Sequence, residues 1–404
     1  MFVPQLTQSF SSPIDCIPED ILINYGVYFT PTELESICLV SHFWYWWGHQ
    51  HLKIFKRYSY IITKHSKLSR LDYQRVLSSS LTVIGLDLTS FKKWEPILSK
   101  ASKLVFSRIK ENFSQWHSSQ YLDFKATSVT INHCATLQEL CFSLDNCQEL
   151  IIEGCPNLRR YPSLPEITNL EIIGYPPGPH LYSSTLPGCL EPESIFPSKL
   201  KQLTLIGLVG IDTQILTRIV TTQNIVYLDL THCRHVRDLS PLGESQTLKT
   251  LFLNYTPITD LTPIQNLTRL EILDLSNCIR IRDVSPVGHV KYLNLTKTHV
   301  VDISSLSDVE QLDLDYCHYI HDFRCLRNVI RLSVIKTNFS DRDLQYLNDC
   351  QSELLILDAR WTGLRNVDVT RLNIKIINLE YCQQLTSFQI QEQCIGYLPR
   401  NFQK

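Results

Sequence analysis

The chain has little methionine, one residue, and little glycine, 13 in 404. With no Gly-X-Y period, that excludes a collagen-like rod or a glycine-rich tail. No CxxC pair occurs among the 14 cysteines, so neither a zinc ribbon nor a thioredoxin motif is written. Long apolar runs are missing too. The longest, Ile37 to Trp47, is about half of what a bilayer requires and is broken by Ser41 and His42, so no membrane span is expected. The opening MFVPQLTQSFSS has no basic n-region and no apolar core, which leads to the expectation of a cytoplasmic protein with free thiols, nuclear entry being left open. Charge of one sign is not in excess: 38 basic residues face 40 acidic ones, and no nucleic-acid partner is expected. Nucleotide-binding glycine motifs and a hydrolase elbow are absent.

What is present is a repeat. Apolar residues stand at positions 1, 4 and 6 of each copy, and Cys or Thr at position 9. The eight clearest copies begin with Ile225-Leu228-Leu230-Cys233 and end with Ile374-Ile377-Leu379-Cys382, at intervals of 19 to 25 residues. Looser copies precede them, back to weak candidates at Leu104/Phe106 and Leu86/Leu88. This resembles the leucine-rich-repeat pattern LxxLxLxxN/C. The resemblance implies an α/β fold, a curved horseshoe solenoid of roughly 14 repeats with its parallel sheet on the concave face.

In that frame Cys134, Cys155, Cys233, Cys278, Cys317 and Cys382 turn inward and donate to backbone carbonyls. They are expected to be structural. Asp238, Asp260, Asp283, Asp302 and Asp322, often ahead of Ser/Thr-Pro, are expected to cap short helical turns rather than bind metal. Cys317, His318 and His321, and His232, Cys233 and His235, have spacings a metal could use, but the thiols point inward, so no metal and no other cofactor is expected. Six prolines crowd 174–199, an inserted loop or a degraded repeat.

The first 55 residues read differently. After an N-terminus at 1–13 expected to be disordered, residues 14–55 signal three short helices, started by Pro18-Glu19-Asp20, by the capping box Thr30-Pro31-Thr32-Glu33 and by Ser41. Ile17-Pro18-Glu19-Asp20-Ile21-Leu22, then Leu34, Leu39-Val40-Ser41 and Trp44, are similar to the F-box pattern; Gly26 and Phe29 depart from it. With the repeats behind it, the chain resembles the F-box/leucine-rich-repeat family. The resemblance implies that Ile17, Pro18, Ile21, Leu22, Leu34, Val40 and Trp44 dock on a Skp-type adaptor. Through it the chain would join cullin and RING subunits of an SCF-type ubiquitin ligase, as a non-catalytic receptor for a protein substrate. A plain repeat scaffold, its N-terminal helices serving as a cap, is the alternative.

A linker at 56–80, a solenoid at 81–390 and a C-terminal tail at 391–404 complete the expected layout. No catalytic residue is assigned; Cys350 and Cys394, outside the position-9 series, are expected to be buried packing. The substrate is expected on the concave face, along position 5 and beside it, at Tyr227, Asp229, Phe252, Tyr255, Asp274, Tyr292, Asp313, Asp315, Tyr316, Asp358, Trp361 and Tyr381. Acids and aromatics in alternation suit a segment carrying Lys or Arg, although Asp at this position also recurs whatever a repeat binds. On this reading, reversing Asp274 and Asp313 to Lys abolishes capture.

Overall fold

The computed structural model describes short stretches between residues 59 and 109, most of 122–174, and 198–400 apart from 222–223, together with Phe402. The helices expected at 14–55, with all seven adaptor-docking residues, lie outside the described residues, as does the proline-rich segment at 175–197.

Each coil contributes one short strand to a shared sheet, because alternation puts positions 4 and 6 on the inner face and only a neighbouring coil can bury them; two further strand pairs, Leu122–Asp123 with Phe142–Ser143 and Asn366–Asp368 with Ser387–Gln389, lie outside it. Sixteen such strands form one sheet: Ser59–Thr63, Ser80–Ile84, Lys103–Ser107, Ser128–Asn132, Glu149–Glu153, Asn169–Ile173, Gln202–Ile206, Tyr227–Asp229, Thr250–Phe252, Ile272–Asp274, Tyr292–Asn294, Gln311–Asp313, Arg331–Ser333, Ile356–Asp358, Ile376–Asn378 and Ile395–Tyr397. Every pairing is parallel and in register, Leu228 opposite Leu251, Leu251 opposite Leu273 and Leu273 opposite Leu293. These leucines, with Leu230, Leu253, Leu275 and Leu295, are fully buried in one continuous core. The strands that flank the proline-rich segment, Asn169–Ile173 and Gln202–Ile206, pair directly.

Three features of the expected layout need correction. The solenoid starts inside the segment expected as linker, since Ser59–Thr63 pairs with Ser80–Ile84 over five residues; the copy expected at Leu86/Leu88 has its strand at Ser80–Ile84. It also runs into the expected tail, where Ile395–Tyr397 pairs with Ile376–Asn378. Finally, the return path is seldom α-helical. Among the described residues two α-helices of nine residues occur, α1 at Thr213–Thr221 and α2 at Asp341–Asp349. Coil length explains this. Both helices sit in coils of 25 residues, Gln202 to Tyr227 and Arg331 to Ile356. From Tyr227 to Arg331 the coils are shorter, and several return by 3-10 turns such as Ser240–Glu244, Thr262–Ile264 and Ser285–Val287, each with Pro in its first turn.

The inward thiols and hydroxyls divide one task. Thr256 Oγ1 donates to Leu253 O of its own coil at 2.6 Å, and Cys278 Sγ of the next coil donates to the same oxygen at 3.0 Å. Thr298 and Cys317 share Leu295 O, and Thr362 and Cys382 share Ala359 O, in the same way. Burial pushes the thiols of Cys233 and Cys278 up to about 12 and about 11, so they remain protonated donors. Cys350 departs from expectation: it is exposed, because it ends α2 and its amide is used by Tyr346 O. Cys394 is half-buried. Asp238, Asp260, Asp283, Asp302 and Asp322 each accept the amide two residues on at 2.8 to 3.0 Å, turning the chain into the return path. Among the described residues no helix is long and apolar enough to cross a membrane.

Candidate functional site

The face of the sheet opposite the leucines is where a partner was expected, and its columns differ in accessibility. At position 5, Asp229, Asp274 and Asp313 are only 2%, 0% and 6% exposed. The strand spacing of parallel coils packs this column closed, and its polar atoms are used internally. Asp229 Oδ1 accepts Thr231 N at 2.9 Å; Asp274 accepts Ser276 N at 2.8 Å and Asn294 Nδ2 at 3.2 Å; Asp313 accepts Tyr292 OH at 2.9 Å. These three carboxylates are therefore corrected from a surface offered to a partner to an internal polar ladder. Tyr227, Phe252 and Tyr292 are half-buried, the first two in an edge-to-face contact with ring centroids 5.5 Å apart.

Asp315 and Asp358 are half-buried. Asp358 is clamped by Arg360 at 2.8 to 2.9 Å, while Asp315 accepts Ser333 Oγ at 2.6 Å and Ile335 N at 3.0 Å. Burial pushes Asp315 up to about 7 and Asp229 up to about 6, against their hydrogen-bond donors, with neighbouring carboxylates adding to the rise. A carboxyl whose folded pKa lies above its unfolded value stabilises the fold below the unfolded pKa and loses that contribution as pH rises through the folded one. Stability is thus expected to fall from about pH 4 to about pH 7. Asp315→Asn, which keeps an acceptor oxygen, should flatten that slope by on the order of 1.4 kcal/mol per pH unit within the window. Denaturant midpoints of the two proteins at pH 5 and pH 7.5 check this; parallel curves would show that Asp315 is not the group responsible.

Position 8 is the more accessible column, with Tyr255, Lys297, Trp361 and Tyr381 exposed and the others half-buried, and the sequence reading had its aromatics Tyr255, Tyr316, Trp361 and Tyr381 as partner contacts. His232, Asn277, Lys297 and Lys336 complete it. All eight have left-handed backbone, φ from 54° to 66°. That turn aims the amide of each of the first seven at the position-7 carbonyl of the next coil, as in Tyr316 N to Ile335 O at 2.8 Å. The side chains consequently stack at coil pitch. His232 lies on Tyr255, with centroids 4.2 Å apart, and Trp361 lies on Tyr381 at 4.4 Å and 7°. Between these stacks, Lys297 Nζ is 5.3 Å and Lys336 Nζ 4.9 Å from the centre of the Tyr316 ring, and Lys336 is also 4.9 Å from Trp361. Tyr255, Trp361 and Tyr381 are 47%, 45% and 41% exposed.

Glycine adopts this backbone freely, and two earlier coils use it, Gly154 and Gly207, with φ of 59° and 67°. Placing a large side chain there costs on the order of 1 kcal/mol per residue. Eight such residues in these coils, with His133 (φ 53°) at the same position of an earlier one, form a partly exposed column rich in aromatic and cationic groups. The signal was present in the sequence as large residues just ahead of the position-9 Cys or Thr.

No cluster of three or more His, Cys, Asp or Glu among the described residues is placed to hold a metal. Residues 246–289 match the family described as Leucine Rich repeats (2 copies). No curated protein matches the chain. Among solved structures the chain is similar to an internalin (inlF) from Listeria monocytogenes, 16% identical over 90% of either chain with a TM-score of 0.35. It is also similar to a leucine-rich-repeat protein from Leptospira interrogans, 15% identical over 80% of this chain and 90% of that one, TM-score 0.40. A chain of the mouse RP105/MD-1 complex is 14% identical over 79% of this chain and 57% of its own, TM-score 0.45. Residues 246–289 thus carry leucine-rich repeats, and the coil they form recurs strand after strand through the parallel sheet.

Proposed function

We propose that this protein is a non-catalytic binding subunit that captures another protein on its position-8 edge. In this reading it presents that protein to a Skp-type adaptor as the substrate receptor of a cytoplasmic SCF-type ubiquitin ligase. The observation that supports capture is the exposed aromatic and cationic column, kept in left-handed backbone where glycine would be less strained. Aromatic rings held rigidly at low entropic cost are what protein-binding surfaces use as anchors. The link to the adaptor is supported by the F-box-like residues alone, Ile17, Pro18, Ile21, Leu22, Leu34, Val40 and Trp44.

Co-purification with a Skp-type adaptor tests that link. The full chain is expected to elute with it in a stoichiometric complex, and a Leu22→Asp, Trp44→Ala double variant is expected to lose it while the repeats stay folded. A folded wild-type chain that ignores the adaptor would reduce the proposal to a repeat scaffold without a ubiquitin role.

A further inference from the structure

Between the position-8 column and the return path, the strip formed by positions 8 to 11 contains no Asp or Glu in any of the eight coils from His232 to Gln384. It does contain Arg234, Arg280 and Lys297, which are exposed, and Lys336, which is half-buried. None of these four is ion-paired among the described residues. Of the acids nearest the column, at positions 5 and 7, Asp358 is held by Arg360, Asp313 by Tyr292, and Asp315 by Ser333 and the Ile335 amide, while Glu380 stands half-buried at the far end beside Tyr381, four coils from Lys297 and two from Lys336. In a chain with a net charge of only −2, this strip thus combines cations that are not ion-paired with the exposed rings of Tyr255, Tyr319, Trp361 and Tyr381.

We infer that this strip docks an acidic polypeptide segment, laid across the coils with its carboxylates on Lys297 and Lys336 and its backbone against Tyr316 and Trp361. The inference rests on the reading of the position-8 edge as the capture surface, and it replaces the basic segment expected from the buried Asp column. Geometry supports an extended segment. Lys297 and Lys336 are two coils apart, about 10 Å at the spacing of parallel strands, which is about the rise of three extended residues. Both ammoniums are held over Tyr316, so little side-chain freedom is lost when an anion arrives. Nucleic acid, the other polyanion, fits less well. A base needs an open ring face on which to stack, and here the facing surfaces are filled, His232 against Tyr255, Trp361 against Tyr381, and the two lysines against Tyr316.

Fluorescence anisotropy of the full chain tests this with a labelled peptide of about twelve residues, Glu at every third position and Ser or Gly between, beside its Gln and Lys counterparts. The Glu peptide is expected to bind best, more weakly as salt rises, and about tenfold more weakly to a Lys297→Gln, Lys336→Gln double variant. Lys291→Gln, an exposed cation at the opposite end of its strand, should change nothing. Equal or tighter binding of the Lys peptide, no binding of the Glu peptide, or an unchanged affinity in the double variant would overturn the inference. So would a single-stranded oligonucleotide that displaces the Glu peptide at lower concentration. Trp361→Ala separates the two levels. If it weakens all peptides alike, the edge captures partners and only the sign is wrong; if neither it nor the lysine variant alters any binding, the edge is not the capture surface.

Discussion

Asp274→Lys should unfold the middle of the solenoid instead of merely blocking a partner. Asp274 is wholly buried and accepts Ser276 N at 2.8 Å and Asn294 Nδ2 at 3.2 Å. A lysine removes both acceptors and forces a longer, charged side chain into a desolvated column. Each buried donor left unpaired costs about 1–3 kcal/mol, and the desolvated ammonium adds more, so a loss of about 4 kcal/mol or greater is expected. Against a domain stability of roughly 5–15 kcal/mol, that is a large fraction. The denaturant midpoint reads it directly. Asp274→Asn keeps one acceptor oxygen and should lose much less. A midpoint for Asp274→Lys equal to wild type would show that the position-5 ladder does not stabilise the fold, and would return Asp274 to the list of candidate partner contacts.

Gly288→Ala should be the second most damaging change, for a reason invisible in the strands. A Cβ on Gly288 would lie 2.2 Å from the carbonyl oxygen of Ser305 in the next coil, and one on Gly243 would lie 2.3 Å from Pro263 O. Both glycines sit at the end of 3-10 turns, where successive return paths touch. A backbone carbonyl cannot swing away as a side chain does, so the turns must separate and unpack Val287 and Ile303 beneath them. Overpacking of this kind costs about 1–3 kcal/mol, and in a stack of coils the damage falls at one interface. Gly363→Ala is the control, since nothing lies within 4 Å of its added methyl. Equal midpoints for Gly288→Ala and Gly363→Ala would mean that the coils tolerate a wider spacing at this turn.

The repeat was legible because leucines at 1, 4 and 6 report a local alternation, and the inward Cys and Thr because they occur in step with it. The sequence reading placed the partner on position 5 by the same alternation. It pointed to the side of the sheet opposite the leucines, where Asp229, Asp274 and Asp313 are closed off by side chains from adjacent coils, 20 residues away for the bond from Asn294 to Asp274. Local pattern carries no measure of that closure. Position 8 escaped attention as a column because His, Tyr, Asn, Lys and Trp share no chemical class; what unites them is a left-handed backbone imposed by the hydrogen bond to the next coil. The strand at Ser59–Thr63, SYIIT, was hidden between basic segments, and the one at Ile395–Tyr397 lies beyond the last full copy of the repeat.

The one-dimensional order of the molecule therefore belongs to the sequence: which residues form the strands of the main sheet from Lys103 to Asn378, which side of each of them is apolar, and which thiols and hydroxyls turn inward. Each follows from the chemistry of residues a few places apart. Coil stacking decided the rest. Whether a coil returns through a helix or a 3-10 turn depends on its length relative to its neighbours, which acids are buried depends on strand spacing, and the aromatic and cationic edge exists only once His232 and Tyr255, or Trp361 and Tyr381, are brought from different coils to within 4.4 Å. Accessibility and stacking are properties of the space between coils, and that space is set by packing.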